Sequence, residues 1–310
     1  MKPRQTTPAV LLIFFRRPEQ TARVFQAIRA ARPARLFLAA DGPRSRRGEA
    51  EACAAAREAV LGVDWPCDVR TFFRDTNVGI RRNVAEAISW FLAEAGEGVI
   101  LEDDCLPSPD FFAFAAEGLE RYRSDERVAQ ICGTSFVPRS DQSGSYYFSR
   151  YGHGWGWATW KRAWDKIDLD MHTLEVFLKE ADAAEFWDSR KERKYWRTMF
   201  RRTRDLPIDT WDYQWVLCQW KSGALSVYPN RNMITNLGFN ELASNTVQAG
   251  SAKGGKAPEP LGDIVHPDVI VRDARSDRKT FNRYYWGNPW DRWTSRMQTA
   301  RRLILSRLGG

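Results

Sequence analysis

Two kinds of apolar pattern share this chain. In the first half, short unbroken apolar runs alternate with longer stretches in which apolar residues recur every three or four positions. Val10 to Phe15, Leu36 to Ala40, Val69 to Phe73 and Gly98 to Leu101 are the runs, and runs of this length bounded by turn residues read as strands buried on both faces. Between them, Pro18 to Ala30, the alanine-rich Gly48 to Leu61 and Arg82 to Glu94 carry helical periodicity. Alternating strands and helices with short connections predict an α/β fold, a mostly parallel sheet covered by helices on both faces. In such sheets ligands sit beyond the carboxyl ends of the strands.

The second half is less regular. Val128 to Cys132 and Leu225 to Tyr228 read as strands, and Phe186 to Arg204 and Trp211 to Lys221 as helices. Gly152 to Trp160 is a glycine-tryptophan segment. Asn240 to Gly262 is rich in glycine, serine, alanine and lysine with little apolar periodicity, the composition of a mobile loop, and its position suits closure over a bound ligand. At the end, Trp293, Met297, Ala300, Ile304 and Leu308 fall at helical spacing among Arg292, Arg296, Arg301, Arg302 and Arg307. This basic amphipathic helix either lies on an anionic membrane or packs its apolar stripe onto the domain. The organisation expected is one unit over 1–265, with halves at about 8–135 and 136–265, followed by an extension over 266–310.

At 310 residues and 43% hydrophobic composition the chain can bury a substantial core. No run of about 18 apolar residues is present and the first residues lack an apolar signal core, so the sequence reads as a cytoplasmic protein whose membrane contact, if it has one, is peripheral and at the inner face. Five cysteines, with no Cys-x-x-Cys pair, argue for reduced buried thiols. A formal charge of +8 favours anionic partners. No nucleic-acid module is recognisable, and the basic residues are spread over predicted helices as on solvated faces.

Candidate chemistry is concentrated where the fourth strand ends. Val99 to Phe112 reads Val-Ile-Leu-Glu-Asp-Asp-Cys-Leu-Pro-Ser-Pro-Asp-Phe-Phe, an apolar strand running into Glu102, Asp103 and Asp104. Adjacent carboxylates at a buried strand end repel one another, and a divalent cation with phosphates is the partner that relieves them. Arg17 and Asp41-Gly42 follow the first and second strands and would share that rim, with Arg16 a competitor to Arg17. Asn77 to Arg82 turns into the next helix and offers Arg81 or Arg82 to a phosphate. Each of these residues also has a plain structural reading as a turn or surface residue.

The acid run and the Pro-Asp-Phe-Phe after it resemble the metal-binding segment of GT-A glycosyltransferases, most closely that of the N-acetylglucosaminyltransferase I type. The resemblance spans roughly residues 8 to 250. It implies a GT-A, nucleotide-diphospho-sugar transferase fold and a manganese or magnesium ion held by Asp104, with Asp103 on the ribose or the metal's waters and Glu102 orienting the sugar. Arg17, Asp41 and Asn77 would contact the nucleotide. The partners implied are a nucleoside diphosphate sugar and a glycan or lipid-linked glycan acceptor. Gly152 to Trp160 is similar to the glycine-tryptophan segment of bacterial nucleotide-diphospho-sugar transferases, where Trp155 and Trp157, with Trp211, would wall an acceptor sugar; a packed aromatic core is the competing reading. In Thr210-Trp211-Asp212-Tyr213, Asp212 stands at the resemblance's general-base position, in aromatic surroundings that raise a carboxyl's pKa, and Asp209 is the alternative base. His266 could add an imidazole to the metal site. A binding protein without transferase activity, and a metal-dependent phosphotransferase or nuclease, are the other function classes these residues allow.

Overall fold

The computed structural model describes residues 6–137, 144–206, 208–239 and 257–286. The first half follows the apolar pattern closely. β1 (Val10–Phe14), α1 (Pro18–Ala31), β2 (Arg35–Ala40), α2 (Glu49–Glu58), β3 (Asp68–Phe73), α3 (Ile80–Ala95) and β4 (Glu97–Glu102) alternate along the chain. β1 to β4 pair in parallel, with β1 between β2 and β4 and β3 outermost. Side chains of a strand point alternately to its two faces. Val10, Leu12 and Phe14 therefore meet Phe25 and Ile28 of α1 on one side, while Leu11 and Ile13 meet Ile88, Phe91 and Leu92 of α3 on the other. Both faces are covered, so a continuous apolar run is what each strand needs.

Past β4 the chain makes a short β5 (Cys105–Pro107), then α4 (Pro109–Arg121) and β6 (Val128–Cys132), and continues with β7 (Tyr146–Ser149), β8 (Trp157–Trp160) and the one-turn α5 (Lys161–Trp164). Three helices follow, α6 (Leu174–Ala183), α7 (Arg190–Asp205) and α8 (Asp212–Lys221), then β9 (Leu225–Pro229), β10 (Ile234–Asn236) and the short α9 (Ala274–Thr280). The large sheet has the order β3-β2-β1-β4-β8-β6-β9-β7. β8 runs antiparallel to both β4 and β6, and β7 antiparallel to β9; the other six strands are parallel. This is a mixed α/β fold with an eight-stranded, mostly parallel central sheet. β5 and β10 form a separate two-stranded ribbon.

Four departures from the sequence pattern have physical causes. Trp157–Trp160 is a central strand, fully enclosed, so its residues show no alternation that would mark it. β7 is only four residues long, and α6, whose buried Leu174, Phe177, Leu178 and Ala181 fall at helical spacing, is an element the sequence reading passed over. α7 begins at Arg190 rather than at Phe186 because Ser189 caps it: the Ser189 hydroxyl accepts from the Glu192 N–H at 3.1 Å, and the Glu192 carboxylate accepts from the Asp188 N–H at 2.8 Å, a variant of the reciprocal capping arrangement. Residues 266–286, read as an extension, pack onto the sheet edge, where Arg272 bridges to Phe148 of β7 and Phe281 joins the aromatic cluster between α6, α7 and α8. Residues 240–256 of the expected Asn240–Gly262 loop and all of the expected amphipathic helix over 293–308 lie outside the described residues. No helix among the described residues is long and apolar enough to cross a membrane.

Candidate active site

The register Ile13↔Glu102 between β1 and β4 sets residues 15–17 beside the acids just beyond the carboxyl ends of both strands. The chain reverses at Asp103-Asp104 into β5, and β10 holds that reversal: Asn236 pairs with Cys105, and the Leu237 N–H donates to the Asp104 carbonyl at 2.6 Å. Arg17 faces the acids. Its Nε donates to Asp103 Oδ2 at 3.3 Å, its Nη2 bonds Asp103 Oδ1, and the same Nη2 donates to Asp104 Oδ2 at 3.1 Å. Arg16 points away, to Glu49 at 3.0 Å. The Asp103 side chain is 5% exposed and that of Asp104 is 19% exposed, so Asp104 is the more open of the two aspartates to an incoming ligand. Burial, followed by repulsion from Asp104 and Asp103, pushes the Glu102 carboxyl well above its usual range. Burial also raises Asp103, with Arg17 opposing the rise. Gly238 lies against the cluster: a Cβ placed on it would be 2.6 Å from Asp104 Oδ2.

Asp41 and Asn77 are brought to the same rim but are occupied with each other. Asp41 accepts from the N–H groups of Gly42 at 2.9 Å, Val78 at 3.0 Å and Gly79 at 3.1 Å and from Asn77 Nδ2 at 2.9 Å. A carboxylate has about four acceptor positions, so all of them are filled by the turn it holds. The Asn77 amide nitrogen donates also to the Gly42 carbonyl at 3.0 Å. Asp41 is the anchor of the 77–79 turn. Arg81 is turned outward as well, with its guanidinium on the Leu169 carbonyl at 2.7 Å and on Asp170. Arg82 pairs with Glu86 along the helix.

Asp209 and Asp212 separate cleanly. Asp209 caps α3 from another part of the chain, accepting from the N–H groups of Ile80 at 2.8 Å and Arg81 at 2.7 Å. The helix has no side-chain cap of its own, because its N-cap is Gly79 at φ 87°. That backbone conformation suits glycine, and a Cβ there would meet Asp209 Oδ2 at 2.7 Å. Asp212 opens α8, with one oxygen on the Thr210 hydroxyl and on the Tyr213 N–H at 3.0 Å. Asp212 is exposed to solvent. The protein crowded around it raises its pKa, against the opposing hydrogen bonds of Thr210 and Tyr213. Gly154 links the two acidic centres: a Cβ placed on it would lie 2.9 Å from the ring of Trp211, the residue before Asp212, and 3.9 Å from Glu102 Oε1, and the charge of Asp212 adds to the rise at Glu102.

The tryptophans divide into two sets. Trp157 is 0% exposed and Trp211 is 4% exposed; their rings stack at 5.6 Å and 17° over Trp164 and Trp215. Both are core residues rather than part of a sugar-facing wall. Trp155 is half-buried and stands with Phe136, His153 and Tyr284. Gly154, next to it, packs on the edge of Trp211 and faces the Glu102 carboxylate. Tyr284 was missed in the sequence because it follows a stretch with no apolar period, although the Tyr-Tyr-Trp run at 284–286 was its visible trace.

His266 is placed away from these acids. Its Nδ1 is bonded to the Tyr146 hydroxyl at 2.9 Å and its Nε2 lies 3.1 Å from Glu117, so both ring nitrogens are taken and neither is left for a metal. Among the described residues no group of three or more His, Cys, Asp or Glu side chains is preassembled as a metal site. Oxygen donors limited to one or two carboxylates nevertheless fit Mg2+ or Mn2+, which keep several waters and take the remaining oxygens from phosphates. The guanidinium on Asp103 and Asp104 shows that this cluster draws in positive charge.

No protein-family profile and no curated protein matches the sequence. Among solved structures, it is similar to a mannosyltransferase from Pyrobaculum calidifontis in complex with GDP-Man and Mn2+, at 18% identity over 55% of this chain and 52% of that chain with a TM-score of 0.34. A UDP-glucose pyrophosphorylase complexed with UDP-glucose matches at 11% identity over 53% of this chain and 80% of that one, with a TM-score of 0.27. A 4-diphosphocytidyl-2C-methyl-D-erythritol synthase from Anaerococcus prevotii matches at 8% identity over 69% and 98%, with a TM-score of 0.29. The chain thus spans about half the length of the mannosyltransferase.

Proposed function

We propose that this chain is a metal-dependent, inverting glycosyltransferase that moves a sugar from a nucleoside diphosphate to a hydroxyl of a glycan or lipid-linked glycan. The observation that supports it most is the proximity of a part-exposed acid beside an arginine, Asp104 with Arg17, to a second, exposed carboxylate of raised pKa, Asp212, the two joined through Glu102, Gly154 and Trp211. Asp104 would hold the Mn2+ or Mg2+ ion, with Asp103 supporting it. Bound there, the ion would supply positive charge to the leaving diphosphate.

The chain's own residues account for the rest. Arg17 contributes a fixed cation beside the phosphates, where charge builds as the leaving group departs. Asp212 Oδ2, which no hydrogen bond in the described structure takes up, accepts the acceptor hydroxyl's proton as that oxygen attacks the anomeric carbon. The Thr210 hydroxyl and Tyr213 N–H fix the carboxylate through Oδ1. Glu102, at the end of β4, orients the transferred sugar.

The test is a screen of UDP, GDP and dTDP sugars with Mn2+, reading thermal shift and turnover in parallel. Asp104→Asn is expected to lose the metal-linked thermal shift and to lower turnover by about a hundredfold or more while the melting temperature of the unliganded protein is unchanged. Full turnover in that variant, or in excess chelator, removes the mechanism. Tight nucleotide binding with no transfer or hydrolysis by the intact protein would identify a binding protein instead.

A further inference from the structure

We infer that Tyr284, together with Phe136 and Trp155, forms an aromatic wall beside Asp212 against which a pyranose ring of the acceptor lies flat. The word acceptor rests on the transferase reading; the wall itself does not. Tyr284 comes from a π-helical turn, Phe281–Tyr285, that follows α9. Its ring lies 4.3 Å from that of Phe136 at 33°, and it meets His153 at 5.1 Å and Trp155 at 6.2 Å, both nearly edge-on. Phe136, Trp155 and Tyr284 are each half-buried, so the cluster keeps a surface in solvent, whereas Trp157, Trp211 and Trp215 are shut into the core.

Chain connectivity ties this wall to the proposed base. Trp155 adjoins Gly154, Gly154 packs on the ring edge of Trp211, and Trp211 immediately precedes Asp212. The phenol of Tyr284 is raised above its usual range by burial and then by the charge of Asp212, which agrees with that proximity. His153, buried behind the wall, is held neutral, its pKa lowered by burial to about 3. The surface is therefore uncharged and aromatic, with the faces of Phe136 and Tyr284 inclined by 33° and Trp155 set edge-on to Tyr284. A pyranose presents a matching pair of features, an apolar C–H face and a rim of hydroxyls that donate to carboxylates.

The segment carrying Tyr284 is fixed in place. Asp277 of α9 accepts from the Ser149 hydroxyl at 2.5 Å and from Arg272 Nε at 2.6 Å, and the Tyr285 hydroxyl, next in the chain, donates to the Gly152 carbonyl at 3.4 Å. Such a wall is arranged before the sugar arrives, which lowers the ordering cost of binding.

The experiment uses the full chain with Mn2+ and UDP or GDP and reads saturation-transfer NMR signals from a panel of methyl pyranosides. At least one pyranoside is expected to receive transfer at its ring C–H protons. Tyr284→Phe retains that signal, while Tyr284→Leu weakens pyranoside affinity about tenfold and keeps the Mn2+-nucleoside diphosphate thermal shift. Trp155→Leu, on a different element, must give the same loss, so the inference does not hang on one variant's folding. Absence of any pyranoside signal in the intact protein, or unchanged affinity in both leucine variants, overturns it. A loss of nucleotide rather than pyranoside affinity also overturns it, because the wall would then serve the donor base. If the intact protein shows no nucleotide response but a Tyr284-dependent pyranoside signal persists, the wall stands and the transferase reading falls.

Discussion

Only Thr210 and Trp211 separate Asp209 from Asp212, and the hydrogen bonds of the two acids divide the work between them. Both oxygens of Asp209 are spent on the first amides of α3, whereas Asp212 has one oxygen held and one open. A general base acts only when ionised, so a raised pKa sets the acid limb of the rate profile. Crowding by protein raises Asp212, with the nearby Glu102 and the phenols of Tyr213 and Tyr284 as its acidic neighbours. Activity should therefore fall as pH drops, with a midpoint above the roughly 3.9 of a free aspartate. The plot of kcat/KM against pH checks this, and a midpoint at or below that value would exclude Asp212 as the base. Asp212→Asn should lose about a hundredfold or more in turnover with little change in melting temperature. Gly238→Ala is a second test of the cluster, since its Cβ would press on Asp104 Oδ2 at 2.6 Å; the metal-linked thermal shift should shrink, and an undiminished shift would show that the acid has room to move. Sequence alone pointed to the acids because charge crowded at a strand end is unusual in itself. It could not show that Asp41 spends its acceptors on the 77–79 turn or that Arg81 turns to Asp170, because a residue's partners depend on distant parts of the chain.

Among the helices, α3 shows how a start signal can be missing locally and supplied from afar. Its N-cap is a glycine, and Asp209, more than a hundred residues later, takes the place of a capping side chain. Loss of such a cap costs about 1 kcal/mol, so Asp209→Ala should lower the melting temperature by about 2 °C and largely retain turnover. Stability that does not change would mean that water replaces the carboxylate at no cost. Elements whose two faces face different neighbours were readable: β1, β2 and β4 as apolar runs, α1 and α3 as periodic ones. β8 was not, because all four of its residues are buried and three of the four are tryptophan or threonine within a glycine-rich context that reads as loop. Its antiparallel insertion between β4 and β6 is a property of pairing, to which hydrophobic pattern is blind.

For the molecule as a whole, the decisive question is where the folded unit ends. Apolar pattern thins after residue 265, which is why the sequence reads an extension there. The structure closes that region with polar groups instead: Ser276, Asp277 and Thr280 are buried, and an ion network runs through them. Asp277, 0% exposed, joins Ser149, the Arg150 N–H and Arg272. Arg272 reaches Asp188 at 3.1 Å, and Arg150 pairs with Glu192 at the start of α7. Three distant stretches of chain thus meet on one buried network. Removing one member leaves the opposing charge buried without its partner, which typically costs about 3–5 kcal/mol. Asp277→Ala should accordingly lower the denaturation midpoint of the entire protein in a single transition, and weaken the pyranoside response in parallel because Tyr284 hangs from the same segment. If the midpoint is unchanged, or if α9 melts separately while the rest stays folded, the network does not join these parts and the folded unit ends where the apolar pattern does.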